Sequence, residues 1–443
     1  MKIRTKLVVA LFLGISITTI QAQEMSLKEC LAYGMQNSPY VTLSNNELEM
    51  FKYNKRDLIS DYLPAINASG QMDYNAKLPI TVIPAGDFAP QDIRMKMGMP
   101  HSNSATIQLE QKIYDHSAIV GMTGVRDYRE LSNLSAEKTL EDLTYSIATA
   151  YYQVLVVNQQ VKLLQESKNQ YSELNRIMEL QLEKGVITKI DYNRIKVAYN
   201  NISSQLSLVE TSKETAVNYL KVMMGMPIDT PLEVQEDKNL IEEASIPEES
   251  RIDVSKRLDF LIMQKNVDLQ ELNTRVTKYS FLPKLSGYAR YGANSYADSF
   301  KDSWSSFNDF ASIGLSLSVP IFNGLKMNTA YHKQRIQLEN LRAQSKIAEE
   351  GYKVELLNSK TKMIETYTSL VANSENLELA KDVYETTNLS YQKGAASLTD
   401  FLNAEFSYKE AQNNYLTSLV NMLSSRLDYE KSKGNLTNYL NNK

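Results

Sequence analysis

The stretches KGVITKIDY at residues 184–192 and KGAASLTDF at residues 393–401 decide the fold. In each stretch a Lys-Gly pair is followed, at the same spacing, by an aspartate and then an aromatic residue. Glycine supplies the backbone freedom that a tight turn between two helices needs. We therefore predict two helical hairpins, one turning at Gly185 and the other at Gly394.

Other motifs recur in the same order before each turn. Leu63-Pro64-Ala65-Ile66 recurs as Leu282-Pro283-Lys284-Leu285, and Ile113-Tyr114 recurs as Ile321-Phe322. Repetition in a fixed order indicates an internal duplication. The predicted organisation is a first repeat over residues 23–224, an equatorial or linker region over 225–254, a second repeat over 255–432 and a C-terminal tail over 433–443.

Proline is absent from two long segments, residues 101–226 and 321–443. Because proline breaks helix interiors, these segments can hold very long helices. We expect one helix from about residue 118 to 184, on the order of 100 Å long. Its apolar residues have the alternating spacing of a coiled-coil seam, so it needs partner helices. The seam consists of Leu140, Leu143, Ile147, Ala150, Val154, Val157, Val161 and Leu164.

Each repeat also contains two segments that alternate between apolar and polar residues, as half-buried strands do. Ile313, Leu315 and Leu317 point to one side of such a segment, and Gly314 and Ser316 point to the other. Their lengths suit a tilted membrane crossing, and the pattern also fits a soluble sandwich. The predicted strands are about 63–75, 104–114, 283–297 and 311–322, with irregular loops over 76–103 and 296–310 and helices over 26–62 and 255–281.

Residues 1–22 are typical of a secretory signal peptide. A basic start is followed by an apolar run from Leu7 to Ile20, and Ala22 offers a small residue for cleavage. A short membrane anchor is the alternative. No later apolar run approaches the length of a spanning helix, so we expect a periplasmic, secreted or outer-membrane β-barrel protein.

Four strands are too few to close a membrane barrel, since outer-membrane barrels have at least about eight. An open sheet in lipid would leave unpaired backbone groups along its edges. If these strands lie in a membrane, several chains must share one barrel and pack their long helices around one axis. This reasoning admits two or more protomers.

The duplicated plan, the Leu-Pro strand entries, the VPIFNG run at residues 319–324 and the two glycine hairpins resemble the TolC family of outer-membrane efflux proteins. The resemblance covers about residues 25–435. It implies a mainly helical fold with membrane β structure: a homotrimer whose chains share a twelve-stranded outer-membrane β-barrel, continued by a long periplasmic α-helical barrel. It also implies docking to a periplasmic adaptor (membrane fusion) protein and an inner-membrane RND or ABC pump.

The resemblance also assigns a role to the two turns, which would be the tips where adaptor hairpins dock. A purely structural role as turns is compatible with docking. The tip residues are Gly185, Val186 and Ile187 in the first hairpin, and Gly394, Ala395 and Ala396 in the second.

A periplasmic gate is implied next to these tips. Asp400 and Asn403 lie on one helical face, where the family narrows its channel with rings of aspartates. Three copies of Asp400 would favour cations, although Asn403 replaces the second aspartate; an ordinary helix N-terminal charge is the alternative role of Asp400. Tyr391 and Asp191 match residues that hold the family's tip shut, but Ala396 stands where the family has their basic partner.

The sequence predicts no enzyme, no cofactor, no metal site and no nucleic-acid partner. The formal net charge is −4, and the histidines at 101, 116 and 332 lack metal-ligand spacing. Phosphate-binding loops and nucleophile motifs are missing. We expect an outer-membrane exit duct, with drug efflux favoured over protein secretion. The alternatives are a periplasmic coiled-coil scaffold and an ungated porin, which would have no use for such long helices.

Overall fold

The computed structural model describes residues 23–60, 62–86, 90–235 and 253–441. The predicted signal peptide over residues 1–22 and part of the predicted linker, residues 236–252, lie outside these ranges. The helices are α1 (Leu27–Asn37), α2 (Pro39–Ser60), α3 (His116–Thr123), α4 (Val125–Glu183), α5 (Lys189–Met224), α6 (Leu258–Tyr279), α7 (Lys326–Gln392), α8 (Leu398–Ser432) and α9 (Leu436–Asn441). The strands are β1 (Gln23–Met25), β2 (Ala65–Tyr74), β3 (Ile80–Ile83), β4 (Ile93–Lys96), β5 (His101–Tyr114), β6 (Leu232–Val234), β7 (Lys284–Ala297) and β8 (Asn308–Ser318).

The long helices predicted from the missing prolines are confirmed. Helix α4 has 59 residues and α7 has 67, which correspond to roughly 90 and 100 Å. The predicted start near residue 118 differs, because α3 ends before Gly124 and α4 begins after it. Leu272 of α6 packs directly over Gly124, where a β-carbon would collide with it.

The chain forms two compact units, and α2, α4 and α7 contribute to both. The first comprises Met1–Ser44, Lys138–Arg257 and Gly351–Lys443, and the second comprises Asn45–Glu137 and Leu258–Glu350. In the first unit, β1 pairs in parallel with β6, and the core is mainly aliphatic, with Tyr151 and Tyr152 also buried. Its fully buried side chains include Ile147, Leu220, Met224, Leu427 and Leu436.

The second unit contains an antiparallel sheet in the order β2-β5-β7-β8. Because successive side chains in a strand point to opposite faces, rows of paired residues alternate across the sheet. One row is Ile66, Leu109, Ala289 and Ile313, and the next is Asn67, Gln108, Arg290 and Ser312. The apolar face is exposed, with 69% exposure at Ile66 and 89% at Ile313.

Two predicted boundaries are wrong for reasons that involve proline. Strand β8 ends at Ser318, not near residue 322, because Pro320 has no N–H to donate to a ladder. The helix predicted over 26–62 is divided into α1 and α2, and Pro39 takes the first position of α2, where its missing N–H costs nothing. Between them, the Ser38 hydroxyl donates to the carbonyl of Met223 at 2.8 Å.

Two segments have more structure than was predicted. The loop over 76–103 contains an antiparallel hairpin of β3 and β4. The segment predicted as a C-terminal tail contains α9, whose Leu436 and Leu440 are buried in the first core. Among the described residues, no helix combines the length and the apolar character required to cross a bilayer.

Candidate functional site: the ends of the two helical hairpins

The first hairpin turns where α4 ends and α5 begins. Gly185 has a φ of +69°, a left-handed conformation that glycine adopts without steric cost. Its N–H donates to the Leu182 carbonyl at 2.9 Å, and the Val186 N–H donates to the Gln181 carbonyl at 2.9 Å. This pair of bonds is a Schellman motif, which satisfies the last carbonyls of α4.

The second hairpin has the same turn between α7 and α8. Gly394 has a φ of +73°, and its N–H donates to the Tyr391 carbonyl at 3.0 Å. The Ala395 N–H donates to the Ser390 carbonyl at 2.8 Å, which completes a second Schellman motif. Both turns predicted from the Lys-Gly pairs are therefore confirmed, with Val186 69% exposed at the first.

The two aspartates after these turns stabilise the starts of the return helices. Thr188 caps α5, and its hydroxyl donates to the Asp191 carboxylate at 2.7 Å. Ser397 and Asp400 form a full capping box at the start of α8. Hydrogen bonds from the Ser397 hydroxyl and N–H hold the pKa of Asp400 below its ordinary value. Asp400 thus has the structural role considered as the alternative, and it remains exposed, as does Asn403 three residues later.

Tyr391 lies between the hairpins but does not hydrogen-bond to Asp191. Its hydroxyl donates to the Met178 sulfur at 4.0 Å, and its ring stacks on Phe401 with centroids 5.2 Å apart. Burial, with a smaller contribution from the charge of Asp191, raises the pKa of Tyr391. The structure therefore brings Tyr391 into an apolar cluster with Met178 and Ile195, while Asp191 serves the helix cap.

Arg194 forms a polar link between the hairpin ends that the sequence did not indicate. Its guanidinium donates to the Thr399 hydroxyl of α8 at 3.2 Å and lies 3.8 Å from the Asp191 carboxylate. The family's basic partner of Tyr391 and Asp191 corresponds to position 396, which is an alanine in this chain. Arg194 of the first hairpin instead brings a positive charge to the hairpin ends. No local sequence pattern predicts this contact, because the two residues are 205 positions apart.

A buried ionic cluster lies further along the same helices. Glu405 of α8 is only 3% exposed, accepts a hydrogen bond from the Tyr171 hydroxyl of α4, and pairs with Lys409 at 2.8 Å. The Lys409 ammonium also lies 4.6 Å from the centre of the Tyr171 ring. Burial and the Glu405 charge raise the pKa of Tyr171. The Glu-Lys pair at helical spacing was visible in the sequence, but its tyrosine partner was not.

Within the described residues, no group of three or more His, Cys, Asp or Glu side chains is arranged to hold a metal ion. The hairpin ends instead combine paired turns, capped helices and contacts between side chains of different hairpins. These contacts join α5 to α8, through Arg194 and Thr399, and α4 to α7, through Met178 and Tyr391.

The fold is that of outer-membrane channel proteins. The crystal structure of the outer membrane protein VceC from Vibrio cholerae matches with a TM-score of 0.70 and 15% identity, over 92% of this chain and 96% of that one. The Campylobacter jejuni CmeC outer membrane channel also gives a TM-score of 0.70 at 15% identity, over 93% of this chain and 86% of the channel.

The chain belongs to the outer membrane efflux protein family, whose sequence model matches residues 36–226 and 254–434. The outer membrane protein TolC of Escherichia coli K12 is 21% identical over 76% of this chain and 70% of the relative. The toluene efflux pump outer membrane protein TtgC of Pseudomonas putida is 21% identical over 92% of this chain and 83% of its own length. The alkaline protease secretion protein AprF of Pseudomonas aeruginosa is 22% identical over 70% of this chain, and the match spans 65% of that relative.

Proposed function

We propose that this chain is one protomer of a homotrimeric exit duct in the outer membrane. The duct passes drugs or other small molecules, with proteins as the second possibility, from the periplasm or an inner-membrane pump to the exterior. The alternation of apolar and polar rows across the β2-β5-β7-β8 sheet carries the proposal, because an exposed apolar face opposite a polar one suits lipid outside and water inside.

The edges of this sheet support a shared barrel. Within the described residues, β2 and β8 each pair with a strand on one side only. In lipid such edges need partners, which the β2 and β8 strands of neighbouring copies can supply. Three copies give a twelve-stranded barrel, and the long helices of the copies form a helical barrel in the periplasm. The two segments matched by the family model and the two identical turn geometries support an internal duplication.

Membrane fractionation tests the duct against the periplasmic scaffold. The full-length protein, expressed in a Gram-negative host, should stay in the outer-membrane fraction and give a detergent-extracted oligomer with a mass of three chains by light scattering. Its release by osmotic shock as a soluble protein would refute the duct and favour the scaffold. TtgC is named as an efflux pump protein and AprF as a protease secretion protein, which supports both substrate classes, and transport assays with each class would distinguish them.

The gate proposal assigns closure of the periplasmic end to Asp191, Tyr391, Asp400 and Asn403. The Arg194–Thr399 hydrogen bond and the Tyr391–Met178 contact support it, because both join side chains of different hairpins. Three exposed Asp400 carboxylates around one axis would favour cations. The resting duct should therefore show a small, cation-preferring conductance in a planar lipid bilayer.

The double variant Asp191→Ala, Tyr391→Phe tests this gate. Single-channel conductance should rise relative to the unmodified oligomer, because the first change releases the cap next to Arg194 and the second removes the hydroxyl aimed at Met178. Asp382→Ala, Tyr219→Phe is the matched control, since both residues are exposed on α7 and α5. Equal, large conductances in all three proteins would be compatible with a duct but would refute the gate. An ungated porin predicts that outcome.

Adaptor docking is proposed for the two tips, residues 185–187 and 394–396. The exposure of Val186, at 69%, gives an apolar anchor at the end of a rigid hairpin, as helix-in-groove recognition uses. Val186→Asp should reduce co-purification with the periplasmic adaptor of the same export system, and Val186→Ile should retain it. Unchanged adaptor capture by the aspartate variant would exclude this tip as a docking point.

A further inference from the structure

Three methionines and a histidine occur at every second position from residue 95 to 101, in the sequence Met-Lys-Met-Gly-Met-Pro-His. Histidine spacing alone indicates no metal site, but thioethers are metal ligands as well. The thioether side chains are unusually accessible for methionine, with exposed fractions of 48% at Met95, 54% at Met97 and 41% at Met99. Methionine is usually buried, so a run of three exposed ones calls for an explanation.

The register of the β3–β4 hairpin places the first two thioethers on one face. Met95 is paired with Thr81, and the Met97 N–H donates to the Pro79 carbonyl at 2.9 Å, which continues the ladder by one residue. Side chains two apart in a strand point the same way. The intervening cation, Lys96, is therefore directed to the opposite face, as is Arg94, and neither competes with a metal ion for the thioether face.

The chain then bends and brings the remaining two residues back toward the sheet. Gly98 has a φ of +98°, a conformation that breaks the pleat. Asn75 fixes the outgoing segment, because its amide side chain donates to the Met99 carbonyl at 3.2 Å and its N–H donates to the Pro100 carbonyl at 2.7 Å. His101 follows as the first residue of β5, opposite Tyr74.

The His101 imidazole packs against aromatic rings, and these contacts do not involve its ring nitrogens. Its ring centroid lies 4.9 Å from that of Tyr74 and 6.0 Å from that of Phe300. Neither ring nitrogen hydrogen-bonds to another residue in the described parts of the chain. His101, a potential nitrogen ligand in contact with two aromatic rings, thus lies two residues after Met99. Backbone hydrogen bonds fix the chain on both sides of Gly98.

We propose that the three thioethers and the His101 imidazole form a binding site for a soft monovalent cation, Cu(I) or Ag(I). Thioether sulfur is a soft ligand that selects Cu(I), and imidazole suits copper as well. All four ligands are neutral, so they offer little to hard divalent cations such as Mg²⁺ and Ca²⁺, which take oxygen ligands. Methionine has three rotatable bonds and a polarisable sulfur, which lets the side chains converge on one ion from a bent backbone.

Competition for Cu(I) tests the site directly. The full-length, detergent-extracted protein is titrated under reducing conditions against bicinchoninate, a chromophoric Cu(I) chelator. One Cu(I) per chain should be withdrawn from the chelator, Ag(I) should displace it, and Zn²⁺ should not. X-ray absorption at the copper edge should show sulfur and nitrogen neighbours.

The variant Met95→Leu, Met97→Leu, Met99→Leu should lose at least tenfold in Cu(I) affinity, while its volume and apolar character are nearly unchanged. Met35→Leu, Met50→Leu removes two other exposed thioethers and should bind as the unmodified protein does. The proposal is overturned if the unmodified protein binds no Cu(I), or if all three proteins bind equally, which would assign the metal to other soft ligands such as Cys30.

Discussion

The hydrogen bond from Tyr171 to Glu405 permits a quantitative test of what holds the hairpins together. Glu405 is 97% removed from solvent, given its 3% exposure, so its carboxylate depends on Tyr171 and Lys409 for the interactions that water would supply. A hydrogen bond to a charged group contributes about 1.5–3 kcal/mol to stability. Tyr171→Phe removes only the hydroxyl, and the free energy of unfolding should fall by about 2 kcal/mol.

Thermal unfolding followed by far-ultraviolet circular dichroism measures this loss, which should lower Tm by roughly 2 to 4 °C, because the entropy of unfolding grows with chain length. Tyr219→Phe serves as the control, because Tyr219 is 53% exposed and its change should stay within about 0.5 kcal/mol. The double variant Tyr171→Phe, Glu405→Gln separates the pair from its surroundings. If the two single losses simply add, within about 0.5 kcal/mol, the two side chains are not coupled and the reasoning is refuted.

Four further substitutions have opposite or separable expected effects on the same unfolding assay. Gly394→Ala should destabilise the protein by about 1–2 kcal/mol, because the φ of Gly394 is +73°. Gly351→Ala should stabilise it by about 0.5–1 kcal/mol, because Gly351 lies within a helix with open space around it. Equal effects of the two substitutions would contradict the turn assignment. Leu427→Ala should cost about 2–5 kcal/mol, since Leu427 is fully buried, and a loss below 1 kcal/mol would show that this core is loosely packed. Burial, helped by Asp428, raises the pKa of Tyr145 to about 12. The resulting stability is present below about pH 10 and is lost as the pH rises toward 12. Tyr145→Phe should therefore reduce the loss of stability over this pH range, and parallel curves of stability against pH for the two proteins would contradict the prediction.

Local rules predicted the turns and the long helices. Glycine at 185 and 394 is needed for a positive φ, and a segment without proline can continue as a helix; both are properties of a few neighbouring residues. The end of β8 was misplaced because apolar alternation continues through Pro320 to Ile321, although the ladder cannot. The β3–β4 hairpin was missed because the prolines around it suggested an irregular loop.

The contacts between hairpins were beyond sequence reasoning. Tyr171 and Glu405 are 234 positions apart, and Arg194 and Thr399 are 205 apart. Both pairings depend on how one long helix is shifted and rotated against another, a quantity to which every packed residue along the helices contributes. The resemblance to a family supplied roles for Tyr391 and Asp191 in holding the hairpins together, but not the contact of Tyr391 with Met178 of the other hairpin.

The one-sided pairing of β2 and β8 has a consequence for how the protein reaches its working state. A lone chain in lipid would expose two rows of backbone groups, each costing several kcal/mol, so it has no stable inserted form. If the proposed shared barrel is correct, insertion and assembly occur together, and their rate rises steeply with the number of chains at the membrane. In cells that make equal numbers of intact and defective copies, one defective chain would inactivate any oligomer that contains it. Most of the intact copies would then be part of inactive oligomers.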